Sequence, residues 1–175
     1  MNSTLIIFST TDGQTQAICK EIASVINRDN EVEVISLENV LNINLSNYKQ
    51  IVLGASIRYG KHDSAVYKFI KNNISILNKK KAVFFTVNAV ARKPEKDSPE
   101  TNPYIQKFLK LSNWNPALIG VFAGKIDYPK YNFVDKQMIR FIMWLTKGPT
   151  DTSQTYEFTN WGKVKEFANE IILLK

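Results

Sequence analysis

A polar segment near the start of the chain has the residue types that bind a phosphate group. The apolar run from Leu5 to Phe8 ends at the sequence Ser9-Thr10-Thr11-Asp12-Gly13-Gln14-Thr15, which contains four hydroxyl side chains. Hydroxyls, backbone N–H groups and the positive end of a following helix dipole together favour an anion, and Gly13 supplies the backbone freedom of a tight turn. The segment therefore predicts a phosphate site between a strand and a helix.

The residues that this segment lacks restrict the kind of phosphate. No Gly-Lys-Ser/Thr sequence follows, so it is not a Walker loop, and it does not match the dinucleotide fingerprint GxGxxG. Without a lysine to pair with a second and third phosphate, a monophosphate is favoured over ATP. An ordinary polar turn, with a Ser or Thr capping the next helix, is the alternative interpretation of the loop taken alone.

Two further loops have the composition of a site for a flat ring. The segments 54–60 and 86–94 combine small residues, which let the backbone approach a planar ring, with N–H groups that can hydrogen-bond its heteroatoms. Tyr59 could also stack on such a ring. A phosphate loop and two loops of this kind suit flavin mononucleotide (FMN), provided that the fold brings the three together.

The pattern of apolar residues predicts a fold that does so. Short apolar runs predict strands at 5–8, 51–55, 82–87 and 118–123, and alternating apolar residues predict another strand at 31–37. Apolar residues at helical spacing predict four helices, which begin after Thr15, after Ser64 as N-cap, at Asn102-Pro103 and at Asn160-Trp161. In the third of these helices, Tyr104, Phe108 and Leu111 are expected to form the buried stripe. Nearly all-apolar strands that alternate with helices indicate an α/β fold whose parallel sheet is covered on both faces. Right-handed crossovers favour the flavodoxin-like, doubly wound order 2-1-3-4-5. In such a sheet, the loops after strands one, three and four meet at the carboxyl edge, where ligands bind.

A segment of about 27 residues, 124–150, interrupts the alternation at the fifth strand and is longer than the usual connection. We therefore expect one domain, 1–175, with an insertion at about 124–150, and long loops of this kind are often functional. The insertion contains five basic, two acidic and five aromatic residues. Its stretch 136–145 mixes apolar residues with Lys136 and Arg140, which favours an exposed helix that faces an anionic membrane surface or the substrate. The alternative is that this helix packs against its own sheet.

Composition restricts the class of protein and of partner. The chain has 175 residues, of which 44% are apolar, so a collagen, a disordered tail and a disulfide mini-protein are excluded. The net charge of +7 indicates an anionic partner, but the basic residues are dispersed and no nucleic-acid motif is present, which argues against nucleic acid. Cys19 is the only cysteine; we expect it to be buried, and we expect no metal site. No apolar run reaches the roughly 18 residues of a membrane span, and no basic region precedes the first run, which predicts an intracellular protein.

Four motifs resemble those of a known family. FSTTDGQT resembles the FMN-phosphate loop of flavodoxins, and GASIRYG, NAVARKPEK and YPKYNFVDKQMIRFIMWL are similar to the bacterial menaquinone-dependent protoporphyrinogen IX dehydrogenases. The first motif alone identifies only the flavodoxin superfamily, whereas the other three are specific to this branch. The resemblance covers nearly the whole chain. It implies bound FMN and the oxidation of protoporphyrinogen IX to protoporphyrin IX in haem biosynthesis, with electrons passed to menaquinone or ubiquinone in the membrane.

The resemblance also implies which residues bind FMN. The phosphate would be held by Ser9, Thr10, Thr11, Asp12, Gly13, Gln14 and Thr15. The isoalloxazine ring would be flanked by Ala55, Ser56, Ile57, Arg58, Tyr59 and Gly60 on one side and by Val87, Asn88, Ala89, Val90 and Ala91 on the other. The resemblance does not identify a catalytic residue. For His62 we expect a surface or capping role, with a role as proton acceptor as the alternative.

The two propionates of the porphyrinogen make cations candidate substrate contacts. Arg58, Arg92, Lys93 and Arg140 are the residues that we select, and arginine suits a two-point grip on a carboxylate better than lysine does. The alternative for each is a solvated surface cation.

The competing function is a flavodoxin-type electron carrier without a substrate of its own. Such carriers are usually acidic, whereas this chain is basic and has an apolar insertion. We therefore expect a cytoplasmic enzyme attached peripherally to the cytoplasmic face of the inner membrane. Its expected partners are protoporphyrinogen IX, a quinone and the membrane surface, and the sequence leaves its oligomeric state open.

Overall fold

The computed structural model describes residues 3–27 and 31–174, and its centre is a parallel sheet of five strands. The strands are β1 (Ser3–Ser9), β2 (Glu31–Ser36), β3 (Gln50–Ser56), β4 (Val83–Asn88) and β5 (Leu118–Ala123). Their order is β2-β1-β3-β4-β5, and every neighbouring pair is parallel. This confirms the predicted flavodoxin-like topology, in which the direction of strand addition reverses between β1 and β3.

Two helices cover each face of the sheet. The helices α1 (Gln14–Ile26) and α5 (Trp161–Leu173) pack on one face, and α2 (Ser64–Lys79) and α3 (Pro103–Ser112) pack on the other. In β1, Ile6 faces the first pair of helices while Leu5 and Ile7 face the second. Both faces of the inner strands are therefore buried, which explains why these strands are continuous apolar runs. Cys19 is fully buried on α1, as predicted.

Two details of the predicted helices were wrong. The N-cap of α2 is Asp63, whose carboxylate accepts the N–H of Ala65, and Ser64 is the first helical residue. In α3 the buried residues are Ile105 and Phe108, whereas Leu111 is 60% exposed. The apolar stripe continues after the helix ends, through the buried ring of Trp114, which packs on Phe108. Trp114, and not Leu111, therefore forms the end of the buried stripe.

The segment between β5 and α5 folds as a small unit of its own. It contains β6 (Lys125–Asp127), α4 (Phe133–Leu145) and β7 (Thr155–Glu157), and β6 pairs with β7 in an antiparallel ribbon. The buried side chains of Ile126, Tyr128 and Met143 form its core, against which Ala89 packs from the loop after β4. One face of α4 thus packs on the ribbon and on that loop. Among the residues described, no helix combines the length and the apolar character needed to cross a bilayer.

Candidate functional site

A cleft at the carboxyl edge of the sheet is lined by residues from all three predicted loops. The lining residues are Thr10, Thr11, Asp12, Gln14 and Thr15 after β1, Ser56, Ile57, Arg58, Tyr59 and Gly60 after β3, and Val87, Asn88, Ala89 and Val90 after β4. Ser9, Gly13, Ala55 and Ala91 belong to the same loops but do not line the cleft. The second and third loops are joined by a hydrogen bond of 2.9 Å from the Ile57 N–H to the Val87 carbonyl. The fold therefore brings together the loops that were selected from the sequence.

The phosphate loop presents unpaired donors to the cleft. Gly13 has a φ of 85°, in the left-handed region, and its N–H donates to Thr10 Oγ1 at 3.0 Å. No side chain in the described part of the chain caps the N-terminus of α1, whose N-cap is Gly13, so the alternative of an ordinary Ser or Thr N-cap does not hold. The hydroxyl of Thr15 is fully buried and has no hydrogen-bond partner within the described part of the chain. An anion at this helix start would satisfy both features.

The second loop is a tight hairpin that presents an aromatic ring to the cleft. Arg58 and Lys61 exchange backbone hydrogen bonds of 3.0 and 3.2 Å. Between them, Tyr59 and Gly60 have φ values of 49° and 78°, both in the left-handed region, as in a type I′ turn. This backbone costs roughly 1 kcal/mol for a residue with a side chain such as Tyr59. Strain of this kind is common at binding sites.

The side chain of Arg58 connects the phosphate loop to α4. Its Nη1 lies 2.8 Å from Oδ2 of Asp12, and its Nη2 lies 3.1 Å from Oδ2 of Asp135. The guanidinium also lies 5.1 Å from the ring centres of both Tyr59 and Tyr131. The hydroxyl of Tyr59 donates to Asp135, and the hydroxyl of Tyr131 lies 3.4 Å from Asp12 Oδ2. We call these five residues, Asp12, Arg58, Tyr59, Tyr131 and Asp135, the Arg58 cluster.

The charges of the Arg58 cluster shift its pKa values in different directions. The hydrogen bond from Tyr59, together with Arg58, lowers the pKa of Asp135. Burial raises the pKa of Asp12, although Arg58 acts in the opposite direction. Burial alone would lower the pKa of Arg58, but its acidic neighbours, chiefly Asp12, raise it. Arg58 therefore remains a cation that neutralises two carboxylates.

His62 lies in the buried layer beside the cleft. It is 3% exposed, with Nε2 2.9 Å from Thr86 Oγ1 and Nδ1 3.3 Å from the Tyr67 hydroxyl, and its ring packs edge-on against Phe84 and Phe108. Burial lowers its pKa to about 4. The expectation of a surface or capping histidine was wrong, because the chain turns inward after the hairpin. His62 does not line the cleft.

The third loop is held by Asn88 and Arg92. Asn88 Oδ1 accepts the N–H of Ala91 at 3.0 Å, whereas its buried Nδ2 has no partner within the described residues. Arg92 donates to the carbonyls of Ala89 and Thr146, at 2.7 and 2.8 Å. It therefore ties this loop to the end of α4.

The four candidate substrate cations occupy different places. Arg58 lines the cleft, whereas Arg92, Lys93 and Arg140 do not. Arg140 is exposed on α4, where it borders a shallow depression with Phe141 and Trp144. The fold thus brings only Arg58 of the four to the cleft.

The cleft also has walls that the predicted site did not include. They are formed by Tyr104 of α3 and by Gly124, Lys125, Ile126, Tyr131, Ile139, Ile142 and Met143 from the segment after β5. The apolar periodicity of this segment was visible in the sequence, but it does not say which surface the helix covers. The contact between Ala89 and the core of the ribbon decides that.

The described residues fit FMN at both ends of the cleft. The unpaired Thr15 hydroxyl and the uncapped start of α1 suit the phosphate. The unpaired Asn88 amide and the apolar side chains of Ile57, Val87 and Met143 suit a ring that carries heteroatoms. Buried polar groups without partners are rare in folded proteins, so two of them on residues that line one cleft indicate a polar ligand.

Comparison with known proteins agrees with this geometry. Residues 5–153 match the family model described as a flavodoxin domain. The protoporphyrinogen IX dehydrogenase [quinone] of Escherichia coli K12 is 43% identical over 169 residues, which cover 96% of this chain and 93% of the relative. The protein of the same name from Leishmania major is 40% identical over 172 residues, covering 97% of this chain and 74% of the relative.

Among solved structures, oxidised Flavodoxin 1 from Bacillus cereus superposes with a TM-score of 0.57 at 19% identity, over 98% of each chain. This likeness supports the fold alone. Membership of the flavodoxin family makes FMN the cofactor of this protein. The chain belongs to the flavodoxin family and, within it, to the protoporphyrinogen IX dehydrogenases that use a quinone.

Proposed function

We propose that this protein catalyses the FMN-dependent oxidation of protoporphyrinogen IX to protoporphyrin IX in haem biosynthesis and passes the electrons to menaquinone or ubiquinone. The observation that carries the proposal is the match of 169 residues to a dehydrogenase of that name. A match of this length in a chain of 175 residues cannot leave out the segment 124–150. That segment forms a wall of the cleft, so the similarity includes the part of the site that the three loops do not supply.

The three loops would hold the cofactor. The Thr15 hydroxyl, the hydroxyls of Thr10 and Thr11, and the N–H groups at the start of α1 would bind the phosphate. The second and third loops would flank the ring, with Tyr59 and the Asn88 amide facing it. When bound, FMN supplies the hydride-accepting chemistry, and the protein supplies binding and orientation. The apolar side chains of Ile139, Ile142 and Met143 would exclude water from that side of the cleft.

Arg58 is the best placed of the predicted propionate contacts, since it alone of the four lines the cleft. Replacing Arg58 or Arg92 by Ala, with measurement of FMN content and of the KM for protoporphyrinogen IX, tests the two residues separately. We expect Arg58→Ala to raise the KM. Arg92→Ala, which removes a contact to α4, should act mainly on stability. Unchanged KM values with normal FMN content in both variants would reject both as substrate contacts.

The outer face of α4 would bring the protein to the membrane that holds the quinone. Phe133 is 77% exposed, Trp144 is 66% exposed and Leu145 is 59% exposed, and the basic residues Lys136 and Arg140 lie on the same helix. Exposed aromatic and apolar residues beside cations suit the surface of an anionic bilayer. We therefore propose that the protein is cytoplasmic and attaches peripherally to the cytoplasmic face of the inner membrane.

Liposome binding tests this attachment. Phe133→Ser combined with Trp144→Ser should reduce binding to anionic vesicles and slow quinone reduction in them, while FMN content is retained. Leu41→Ser is a matched control, because Leu41 is 88% exposed but lies outside the insertion. Equal vesicle binding by the double variant, the control and the unmodified protein would contradict the proposal.

The second candidate function is an electron carrier of the flavodoxin type, because residues 5–153 match the family model described as a flavodoxin domain. Anaerobic mixing of the FMN-loaded protein with protoporphyrinogen IX separates the two. If the protein is a dehydrogenase, protoporphyrinogen IX should bleach the flavin absorbance near its visible maximum, and menaquinone or ubiquinone should then reoxidise the flavin. A flavin that stays oxidised after mixing would reject the enzyme and leave the carrier.

A further inference from the structure

Arg58 bridges elements on opposite sides of the cleft. One of its carboxylate partners, Asp12, belongs to the phosphate loop, and the other, Asp135, belongs to the first turn of α4. Among residues 3–27 and 31–174, no other ion pair joins a cleft-lining loop to α4. The Arg58–Asp135 pair is therefore the electrostatic link between the second loop and the start of α4. Further along the same helix, Ile139, Ile142 and Met143 line the cleft.

This link is accessible to an incoming anion. The side chain of Arg58 is 21% exposed and that of Asp135 is 29% exposed, so water and solutes reach both partners. Partly exposed ion pairs contribute little to stability. Asp135 has a further contact with the hydroxyl of Tyr59, which is itself on the hairpin. A second carboxylate could replace Asp135 at the guanidinium without leaving any charge unpaired in a dry environment.

We propose that Arg58 determines substrate specificity by exchanging Asp135 for a carboxylate of the porphyrinogen, which releases the start of α4 as the substrate enters. This inference rests on the proposed function for the identity of the substrate. Asp12 remains on Nη1, so the phosphate loop keeps its neutralising cation while Nη2 changes partner. The released Asp135 moves into solvent, where its charge is hydrated.

The exchange selects for an acid over an ester. A guanidinium binds a carboxylate through charge-assisted hydrogen bonds, and it would gain no ionic partner if an ester displaced Asp135. A porphyrin with free propionates can therefore release α4, whereas its ester has to bind with the Arg58–Asp135 pair intact. The Arg58–Asp135 pair therefore discriminates between acid and ester, because only a carboxylate can take the place of the Asp135 carboxylate.

Binding of protoporphyrin IX and of its dimethyl ester to the FMN-loaded protein tests this exchange. In Asp135→Asn the competing carboxylate is absent, so the Kd for protoporphyrin IX should fall by about two- to fivefold, the range expected for loss of one exposed ion pair. The Kd for the ester should stay the same. Arg58→Met should weaken protoporphyrin IX binding, and adding Asp135→Asn to Arg58→Met should no longer strengthen it. Glu166→Gln, which removes an exposed charge on α5, controls for net charge.

Hydrogen exchange of the α4 backbone gives a second readout. Protoporphyrin IX should speed exchange in the first turns of 133–145 in the unmodified protein, and the dimethyl ester should not. An Asp135→Asn variant that binds both porphyrins as the unmodified protein does, or whose affinity changes equally for both, would overturn the exchange. The binding assay needs no turnover, so this failure is distinct from failure of flavin reduction, which would reject the proposed enzyme instead.

Discussion

Nε2 of His62 lies 2.9 Å from Oγ1 of Thr86, and this contact joins the end of the second loop to the strand that leads into the third. Thr86 lies two residues before Asn88, whose side chain faces the cleft. The spacing of the two loops that would flank the flavin ring is therefore set partly by a buried histidine that does not touch the cleft. Such a residue can change cofactor binding only by moving the loops.

The lowered pKa of His62 predicts a loss of stability in acid. The ordinary pKa of histidine is 6.5, and burial, with a smaller effect of Lys107, lowers it to about 4 in the folded protein. Between these values the unfolded chain binds a proton that the folded chain does not. The contribution of neutral His62 is therefore complete above pH 6.5 and is lost as the pH falls toward 4, a change of roughly 3 kcal/mol. Urea unfolding at a series of pH values measures it.

His62→Gln is the control for that measurement. It leaves carboxylates with lowered pKa values, such as Asp127 and Asp135, in place. The variant should be less stable at pH 7 but should lose less stability between pH 6.5 and 4 than the unmodified protein. The same pH slope in both proteins would show that His62 does not control this transition.

Replacing Thr15 by Val should separate cofactor binding from folding. Valine has nearly the same shape as threonine but lacks the buried hydroxyl that is without a partner in the described structure. Since this hydroxyl would donate to the phosphate, the Kd for FMN should rise by at least about tenfold. The stability of the FMN-free protein should stay the same or rise by up to about 1 kcal/mol. Fluorescence titration of FMN and thermal unfolding of the apoprotein check the two parts.

Thr4→Val is the matched control for Thr15→Val. Thr4 is also buried, on β1, but it lies outside the cleft. Its substitution should leave the Kd for FMN unchanged. If both variants bind FMN as the unmodified protein does, the Thr15 hydroxyl does not contact the phosphate.

Arg92→Ala should loosen the end of α4. The guanidinium donates to the Ala89 carbonyl and to both oxygens of Thr146. Loss of these contacts at a half-buried position should lower the free energy of unfolding by about 1–2 kcal/mol. Hydrogen exchange should become faster near Thr146. Arg140→Ala, on the exposed face of the same helix, should change neither measurement, and equal effects of the two substitutions would contradict the assigned role of Arg92.

Gly54→Ala should strain the centre of the sheet. A Cβ atom at Gly54 would lie 2.2 Å from Cζ of Phe85, on the neighbouring strand β4, so the ring would have to move within a packed core. Overpacking of this kind costs about 1–3 kcal/mol. Thermal unfolding measures the loss. Phe85→Leu should be less destabilising in the Gly54→Ala protein than alone, and strictly additive effects would show that the two residues do not interact.

Local patterns predicted most of the fold. The inner strands of the sheet are apolar because both of their faces are covered, and this pattern is visible in the sequence without knowledge of the partner. The helix starts at Asn102-Pro103 and Asn160-Trp161 were also predicted from neighbouring residues, and the structure shows that Asn102 and Asn160 are the N-caps. The predicted N-cap of α2, Ser64, was wrong by one residue, because Asp63 and Ser64 are adjacent polar residues that could each serve as the N-cap.

The sequence alone predicted the topology of the sheet and identified the three loops that line the cleft, because each depends on residues close together in the chain. Only the tertiary structure decided that His62 is buried, that Arg92 holds α4, and that Arg58 pairs with both Asp12 and Asp135. Asp12 and Asp135 are separated by more than a hundred residues in sequence. Ion pairs and burial depend on distance in space, and the partners of a charged side chain are set only when the insertion folds back over the carboxyl edge of the sheet.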